Sequence, residues 1–196
     1  MNYEEIKKLV KKAKKKDSQA FGQLFDEYHR PIFGYTLRRV ANVQEAQDLT
    51  SETFFKALKN LHQFEWRNGG SFSGWLFRIA TNEINSYFRK KKNILSLNDE
   101  NYSLSERIPS SETSLPDFEI IEAQIKLEKK REFLKVHKKL KKLKQEYQTV
   151  ITLKYFEKKK IKEISQILEK PEGTVKSWIH RGLKELRELL EPAATF

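Results

Sequence analysis

Residues 161–190 read IKEISQILEKPEGTVKSWIHRGLKELRELL. The spacing predicts a short helix over 161–168, a break at Glu169-Lys170-Pro171, and a last helix from Glu172 to about Leu190. Pro171 suits the first helical position, where its missing N–H costs no hydrogen bond. Glu172 then lies against the positive end of the helix dipole. Val175, Ile179, Leu183 and Leu186 fall on an inner side, while Lys176, Ser177, His180 and Arg181 project from the other. Two helices joined by so tight a turn read as a helix-turn-helix, whose second helix would enter the major groove of DNA. Its donors suit guanine edges or phosphate. Spacing alone leaves an ordinary helical hairpin with a solvated basic face as the alternative.

Outward from this stretch the pattern stays helical. Tyr147, Val150, Ile151, Leu153 and Tyr155 predict a helix over 146–156, and a long Lys-rich helix is expected from near Phe118. At the other end Ile6, Leu9, Val10 and Ala13 recur at helical spacing. Asp17 reads as the N-cap of a helix that carries Ala20, Phe21, Leu24, Phe25 and Tyr28 on one face. Asn42 with Glu45 resembles a capping box ahead of Ala46, Leu49, Thr53, Ala57, Leu58 and Leu61. Gly69-Gly70-Ser71 breaks the chain before Phe72, Trp75, Leu76, Ile79, Ala80 and Ile84, a helix ending in Arg89-Lys90-Lys91-Lys92. Trp75 sits in that apolar period and reads as core. No alternating run reads as a strand, so the expected class is all-α.

The 196 residues include 39 Lys+Arg and 27 Asp+Glu, a net charge of +12. The charge is partitioned. Residues 1–92 hold 18 basic and 10 acidic side chains, 93–119 hold 1 and 6, and 120–196 hold 20 and 11. Two basic blocks of +8 and +9 thus flank an acidic one of −5. The middle block has six serines, two prolines and no long apolar period, so it cannot bury enough surface to offset its ordering entropy. It is read as a flexible acidic linker between two small helical domains, 1–92 and 120–196; a long ordered surface loop is the alternative.

Such a charge favours a polyanionic partner. With no cysteine there is no disulfide framework, thiolate metal site or cysteine nucleophile. The longest apolar runs are too short to span a bilayer, and MNYEEIKKLV is unlike a secretory signal. A cytoplasmic protein is expected. No phosphate-binding loop, dinucleotide fingerprint or zinc-helix signature occurs. The histidines at 29, 62, 137 and 180 show no ligand spacing, and no Gly-Lys-Ser/Thr follows the glycines of 69–74. The expectation is a protein with no catalytic residues, no metal site and no cofactor.

Two separated stretches together resemble the extracytoplasmic-function (ECF, group four) sigma factors of bacterial RNA polymerase. The first is Asp17-x-x-Ala20-Phe21-x-x-Leu24-x-x-x-Tyr28, then Glu45-Ala46-Gln47-Asp48-Leu49-Thr50-x-Glu52-Thr53-Phe54-x-Lys56-Ala57, Trp75-Leu76-Phe77-Arg78-Ile79-Ala80-x-Asn82 and Arg89. The second is Glu163-Ile164, then Gly173-Thr174-Val175-Lys176-Ser177-x-x-x-Arg181-Gly182-x-x-x-Leu186. They resemble sigma region 2 and region 4 and cover 17–92 and 140–190.

The resemblance implies partners and roles: core RNA polymerase, promoter DNA and an anti-sigma protein, with no direct membrane insertion. Asp48, Leu49, Glu52 and Phe55 would dock on the clamp coiled coil of the largest polymerase subunit. The loop 64–72 and the next helix would melt and hold the −10 region. There Phe64, Trp66, Arg67 and Asn68 could pocket an unstacked base, and Arg78, Asn82, Asn85, Ser86 and Arg89 could line one polar face. Pro171, Gly173, Thr174, Lys176, Ser177, His180 and Arg181 would read −35 duplex, with Arg181 favoured for a base contact.

The sequence departs from the family at Lys160, where a Ser/Thr-type cap is usual, and at Glu169, where glycine often makes the turn. Trp178, Gln47 and Ser51 also differ. These departures bear on turn geometry and the −35 sequence, not on the class. Lysine runs at 11–16, 138–144 and 158–160 read as general electrostatics. A plain helix-turn-helix regulator would leave the 48–55 patch and 64–89 unexplained; a magnesium-dependent nuclease is the remaining alternative.

Overall fold

A computed structural model describes residues 1–66, 71–98 and 138–190, with the side chains of 94–98 excepted. Arg67, Asn68, most of the expected linker and the expected Lys-rich helix from near Phe118 as far as residue 137 lie outside the described residues. Among the described residues every regular element is helical, as the periodicity predicts.

Four helices build the N-terminal half: α1 Tyr3–Ala13, α2 Ser18–Val40, α3 Val43–Asn60 and α4 Phe72–Asn98. Their starts follow the caps. Asn2 and Glu5 form a full capping box on α1. Asp17 Oδ1 accepts from Ala20 N–H at 3.0 Å, and Asn42 Oδ1 accepts from Glu45 N–H at 3.0 Å. The α2 apolar face does not stop at Tyr28. It continues through Ile32 and Tyr35 to Arg39, so the helix runs on past Pro31. Proline within a helix costs about 3 kcal/mol, and burial of two large side chains beyond it offsets that. α4 runs through Asn98, six residues beyond the expected boundary at 92.

The core joins Leu24, Ile32 and Tyr35 of α2 with Phe54 and Ala57 of α3 and Phe72, Leu76, Phe77 and Ile84 of α4. The buried threonines are satisfied locally. Thr36, Thr50, Thr53 and Thr81 each donate to the carbonyl four residues back, and Tyr35 Oη meets Thr81 Oγ1 at 2.9 Å. The bond that Thr53 Oγ1 donates to Leu49 O explains how Thr53 can occupy an apolar position.

The C-terminal half holds α5 Gln145–Ile151, continued by a π-helical turn Thr152–Phe156, then α6 Ile161–Leu168 and α7 Glu172–Leu190. The last two agree with the bounds expected from spacing. At Lys160 the backbone N–H donates to Glu163 Oε2 at 2.8 Å, which supplies the start that the missing Ser/Thr cap does not. Glu169 itself takes the left-handed turn conformation, φ 53°. Gly182 lets α7 approach α5 closely, because a Cβ there would lie 2.9 Å from Tyr147 Cβ and 3.0 Å from Ile151 Cδ1.

The halves pack on one another. Arg39 is 2% exposed and donates to Gln148 Oε1 at 3.0 Å. Arg38 pairs with Glu157 at 2.8 Å, and Lys159 Nζ donates to Ser73 Oγ at 2.7 Å.

Candidate nucleic-acid interface

The exposed side of α7 carries the expected readers. Lys176, His180 and Arg181 are exposed, Thr174 and Ser177 half-buried, and Pro171 and Gly173 open at the helix start. Val175 and Leu186 face inward and are buried. The pairs Lys176–His180 and Ser177–Arg181 stand four residues apart, so they form two neighbouring rows of donors. Trp178 turns sideways. It lines a cleft of about 390 Å³ with Leu168, Lys170, Gln145, Glu146, Thr149 and, from α4, Thr81 and Asn85.

On α4, Asn82, Asn85 and Arg89 are exposed and Ser86 half-buried, with Arg89 Nη2 donating to Ser86 Oγ at 3.4 Å. Arg78 is on the same helix but is already engaged. Its guanidinium donates to Glu169 Oε1 and to Gln166 O, each at 2.7 Å. The expected −10 face of α4 and the turn between α6 and α7 are therefore joined through one side chain.

Phe64, expected to help pocket an unstacked base, is placed in the core instead. It is 4% exposed and packs against Trp66, Phe72 and Trp75 at ring separations of 5.0, 5.5 and 5.1 Å. It is a core pillar beneath the loop. Trp66 is half-buried, and Trp75 packs on the core as expected.

The α3 face presents Asp48, Glu52 and Phe55 to solvent, with Leu49 half-buried against the core. Phe55 is 61% exposed. Leu58, counted in the apolar period, is 53% exposed and extends that face; its place three residues after Phe55 is the signal for it. Lys56 Nζ binds Glu83 at 2.7 Å and Glu52 at 3.4 Å, fastening α3 to α4 beside the face.

Lys159 corrects the expectation of general electrostatics. It is half-buried, and its amine lies 4.5 Å from the Phe77 ring centroid. Burial pushes its pKa down, opposed by Glu163 and Glu157. Burial also pushes the Glu157 carboxyl up, against the pull of Arg38 and Lys159. Arg38 Nε, Arg39 Nε, Arg39 Nη2 and Arg78 Nε are buried without a hydrogen-bond partner. The seam thus holds charge that it satisfies incompletely. Among the described residues no group of three His, Cys, Asp or Glu could hold a metal ion, and no helix is long and apolar enough to cross a membrane.

Comparison with known proteins finds two family matches along the chain. The Sigma-70 region 2 profile matches residues 24–94, and the Sigma-70, region 4 profile matches 133–186. The ECF RNA polymerase sigma factor SigW of Bacillus subtilis is 36% identical over 192 residues, covering 94% of this chain and 96% of SigW. The RNA polymerase sigma-H factor of Pseudomonas aeruginosa is 29% identical, covering 98% and 97%. Among solved structures, the Bartonella quintana sigma factor RpoE, in complex with the anti-sigma factor NepR, superposes with a TM-score of 0.66 at 23% identity, over 87% of this chain and 96% of that one. CnrH, in complex with the cytosolic domain of CnrY, gives 0.65 at 21% identity, over 93% and 94%. With the two sigma regions in order and a full-length relative above one-third identity, the chain belongs to the ECF sigma factors of RNA polymerase, which direct promoter-specific initiation of transcription.

Proposed function

We propose that this sigma factor divides its partners among three surfaces. The α3 face, Asp48, Leu49, Glu52 and Phe55 with Leu58, docks on the clamp coiled coil of the largest subunit of core polymerase. The loop of Trp66, Arg67 and Asn68, with the α4 face of Arg78, Asn82, Asn85, Ser86 and Arg89, holds the melted −10 strand. The α7 face from Pro171 to Arg181 reads −35 duplex. The observation that carries this reading is the α3 face: exposed apolar side chains flanked by acids, within a half of net charge +8. Such a face is unsuited to phosphate and suited to a protein partner. The chain performs no chemistry of its own; it works in the cytoplasm, where it aims the polymerase at a promoter.

An anti-sigma protein holds the chain inactive in this proposal. Support comes from the NepR complex of the similarly folded RpoE. The acidic segment 93–119 would avoid DNA phosphates and follow basic protein surface.

The test is reconstitution with core polymerase. The protein should co-purify with core and start transcripts at discrete sites on cognate promoter DNA, mapped by sequencing transcript ends after overproduction. Failure to bind core overturns the proposal. Equal −35 binding without core and no effect on initiation would leave a plain helix-turn-helix regulator.

A further inference from the structure

The first helix lies outside the matched region 2 segment, which begins at residue 24, and none of the three proposed surfaces uses it. Residues 7–16 read KKLVKKAKKK, seven lysines in ten positions with no acid. All seven are exposed. The opposite face of α1 is fixed to the protein: Val10 and Ala13 are in the core, and the Met1 amine meets Glu27 Oε1 at 2.7 Å. Two of the lysines are engaged. Lys7 Nζ lies 5.9 Å from the Tyr3 ring centroid, and Lys14 Nζ donates to Phe64 O at 2.6 Å. Lys8, Lys11, Lys12 and Lys15 stand at i, i+3, i+4 and i+7, so they share one face. No ion pair among the described residues uses any of these four. The acids of α1 are confined to its first turn, Glu4 and Glu5, and Glu5 Oε2 accepts from the Asn2 N–H at 2.8 Å.

The end of the run is built as firmly as its face. Lys16 N–H donates to Ala13 O at 2.9 Å and Asp17 N–H to Lys12 O at 3.4 Å, the bond pair of a Schellman turn. Lys16 takes the left-handed place in that turn, φ 67°, where glycine is the unstrained residue. Like charges four positions apart destabilise a helix, and Lys8–Lys12 and Lys11–Lys15 are two such pairs. The helix dipole accounts for Lys11 and Lys12 in the last turn. It does not account for Lys8 or for a cation at position 16. A row of cations held on fixed backbone against local preference points to a polyanion outside the chain.

We propose that the lysine face of α1 is a phosphate-binding surface for duplex promoter DNA beside the −10 element. Its placement beside −10 rests on the proposed role of the α4 face; the phosphate contact itself does not. Lys14 holds Phe64 O, and Phe64 packs against Phe72 and Trp75 at the start of α4. The lysine row and the α4 face are therefore carried by one packed unit. The row covers residues 8–15, about 10 Å of helix axis. One DNA strand carries a phosphate per roughly 3.4 Å of its axis, so about three phosphates face that length. Lysine meets phosphate as a point charge and reads no base, so the contact adds affinity without sequence preference. An anionic membrane fits less well. The apolar side of α1, which would have to enter a bilayer, is already buried in the core against α2.

The experiment uses the full chain assembled with core polymerase. One variant combines Lys8→Gln, Lys11→Gln, Lys12→Gln and Lys15→Gln; a matched one combines Lys8→Arg, Lys11→Arg, Lys12→Arg and Lys15→Arg. Affinity is measured against salt concentration on two duplexes, one with only the −10 element and its flanks, the other with only the −35 element. On the −10 duplex, loss of three phosphate contacts should lower the salt slope by about 2.7. The advantage of the wild type should then shrink roughly forty-fold between about 50 and 200 mM salt. The arginine variant should keep the wild-type slope, and the −35 duplex should show no change. The glutamine variant should melt no lower than the wild type, because it removes like-charge pairs from an exposed face. Should it unfold, Lys8→Gln with Lys15→Gln takes its place and should lower the slope part way. An unchanged slope on the −10 duplex overturns the inference. An equal loss on the −35 duplex would reduce the lysines to bulk attraction. A loss of affinity for core, or for phosphatidylserine vesicles, with DNA binding intact would give them another partner. Each of these results overturns the inference as well. Asn82→Ala tests the −10 role of α4 separately: unchanged binding of a single-stranded −10 oligonucleotide would count against that role, while the salt slope still decides the phosphate contact.

Discussion

Arg78 of α4 and Glu169 of the turn between α6 and α7 share a 2.7 Å ion pair across 91 positions of sequence. Arg78 belongs to the proposed −10 surface, and Glu169 lies in the turn that leads into the proposed −35 helix. A guanidinium bound to Glu169 and Gln166 O is not available to a −10 strand, so in the proposed function DNA and the turn compete for it. The other seam contacts, Arg38–Glu157, Arg39–Gln148 and Lys159–Ser73, keep the halves in the same relation. Four arginine nitrogens at Arg38, Arg39 and Arg78 lack partners there. Leaving a buried donor unsatisfied costs about 1–3 kcal/mol, which limits how tightly the seam can close.

Glu169 sets two small terms against each other. A residue other than glycine in the left-handed region costs roughly 1 kcal/mol. Its pair with Arg78 is worth at most about 1 kcal/mol, since the carboxylate side chain is 70% exposed. Glu169→Gly removes both, so stability should change by less than about 1 kcal/mol. Glu169→Ala removes the pair and keeps the strain, so it should be the less stable of the two by about 1 kcal/mol. Both should leave Arg78 held only by Gln166 O and raise the affinity of the isolated protein for single-stranded −10 DNA. Urea unfolding and oligonucleotide titration check the two halves of the prediction; a Glu169→Ala protein more stable than Glu169→Gly would contradict it.

Lys159 predicts a pH dependence. Its folded-state pKa lies below the ordinary value of 10.5 because burial disfavours the charge. The folded protein therefore releases this proton more readily than the unfolded chain, and stability rises with pH between the lowered value and 10.5. Lys159→Met removes that contribution. Measured by urea unfolding from neutral pH upward, the wild type should gain stability relative to Lys159→Met across that window. Parallel curves would mean that Lys159 is solvated.

Gly182 is fixed by close approach. An added methyl would meet Tyr147 Cβ at 2.9 Å and Ile151 Cδ1 at 3.0 Å, both on α5. Gly182→Ala should force α7 outward and destabilise the C-terminal half by about 1–3 kcal/mol. Since α7 bears the proposed −35 readers, duplex affinity should fall at temperatures where this half begins to melt and recover on cooling. A melting temperature equal to that of the wild type would show that α5 yields instead.

Arg181 is exposed on α7. Arg181→Ala should cost roughly 1–3 kcal/mol of affinity for a matched promoter and relax preference at one base pair. Equal weakening on every duplex sequence would identify a phosphate contact.

Local signals carried most of the fold. Asp17 and Asn42 announce α2 and α3 because a cap acts within three residues, and 161–168 and 172–190 show their helices because each has one apolar face. Signals that depend on distant partners were not legible. Arg38 and Glu157 are 119 positions apart, and nothing in a run of three lysines marks Lys159 as the one beneath Phe77. Phe64 followed by Glu65-Trp66-Arg67-Asn68 looks like a base pocket, because the same aromatic serves a loop or a core. Burial by Phe72 and Trp75 decides it. At Glu169 the sequence showed that the customary glycine is missing, but not that the glutamate adopts the left-handed turn and turns its carboxylate to Arg78.

The α3 face allows a clean separation of binding from folding, because neighbouring phenylalanines have opposite environments. Phe54 is 5% exposed and packs on Phe25 at 4.7 Å, so Phe54→Ala should cost about 3–5 kcal/mol of stability. Phe55 is 61% exposed, and Phe55→Ala should stay within about 0.5 kcal/mol of wild type. Against core polymerase the order reverses for the residue that matters. An exposed aromatic that becomes desolvated on docking typically costs about 2 kcal/mol when truncated, a loss of roughly thirty-fold in affinity. The Asp48→Lys variant should weaken core binding further, by placing a cation where the proposed partner meets an acid. Neither variant should alter −35 duplex affinity, because Phe55 and Asp48 lie on α3 and the duplex readers on α7. Fluorescence titration of core with labelled protein separates the cases: unchanged affinity for Phe55→Ala would move the polymerase contact off this face, and a parallel loss of −35 binding would mean that the variant has disturbed the fold.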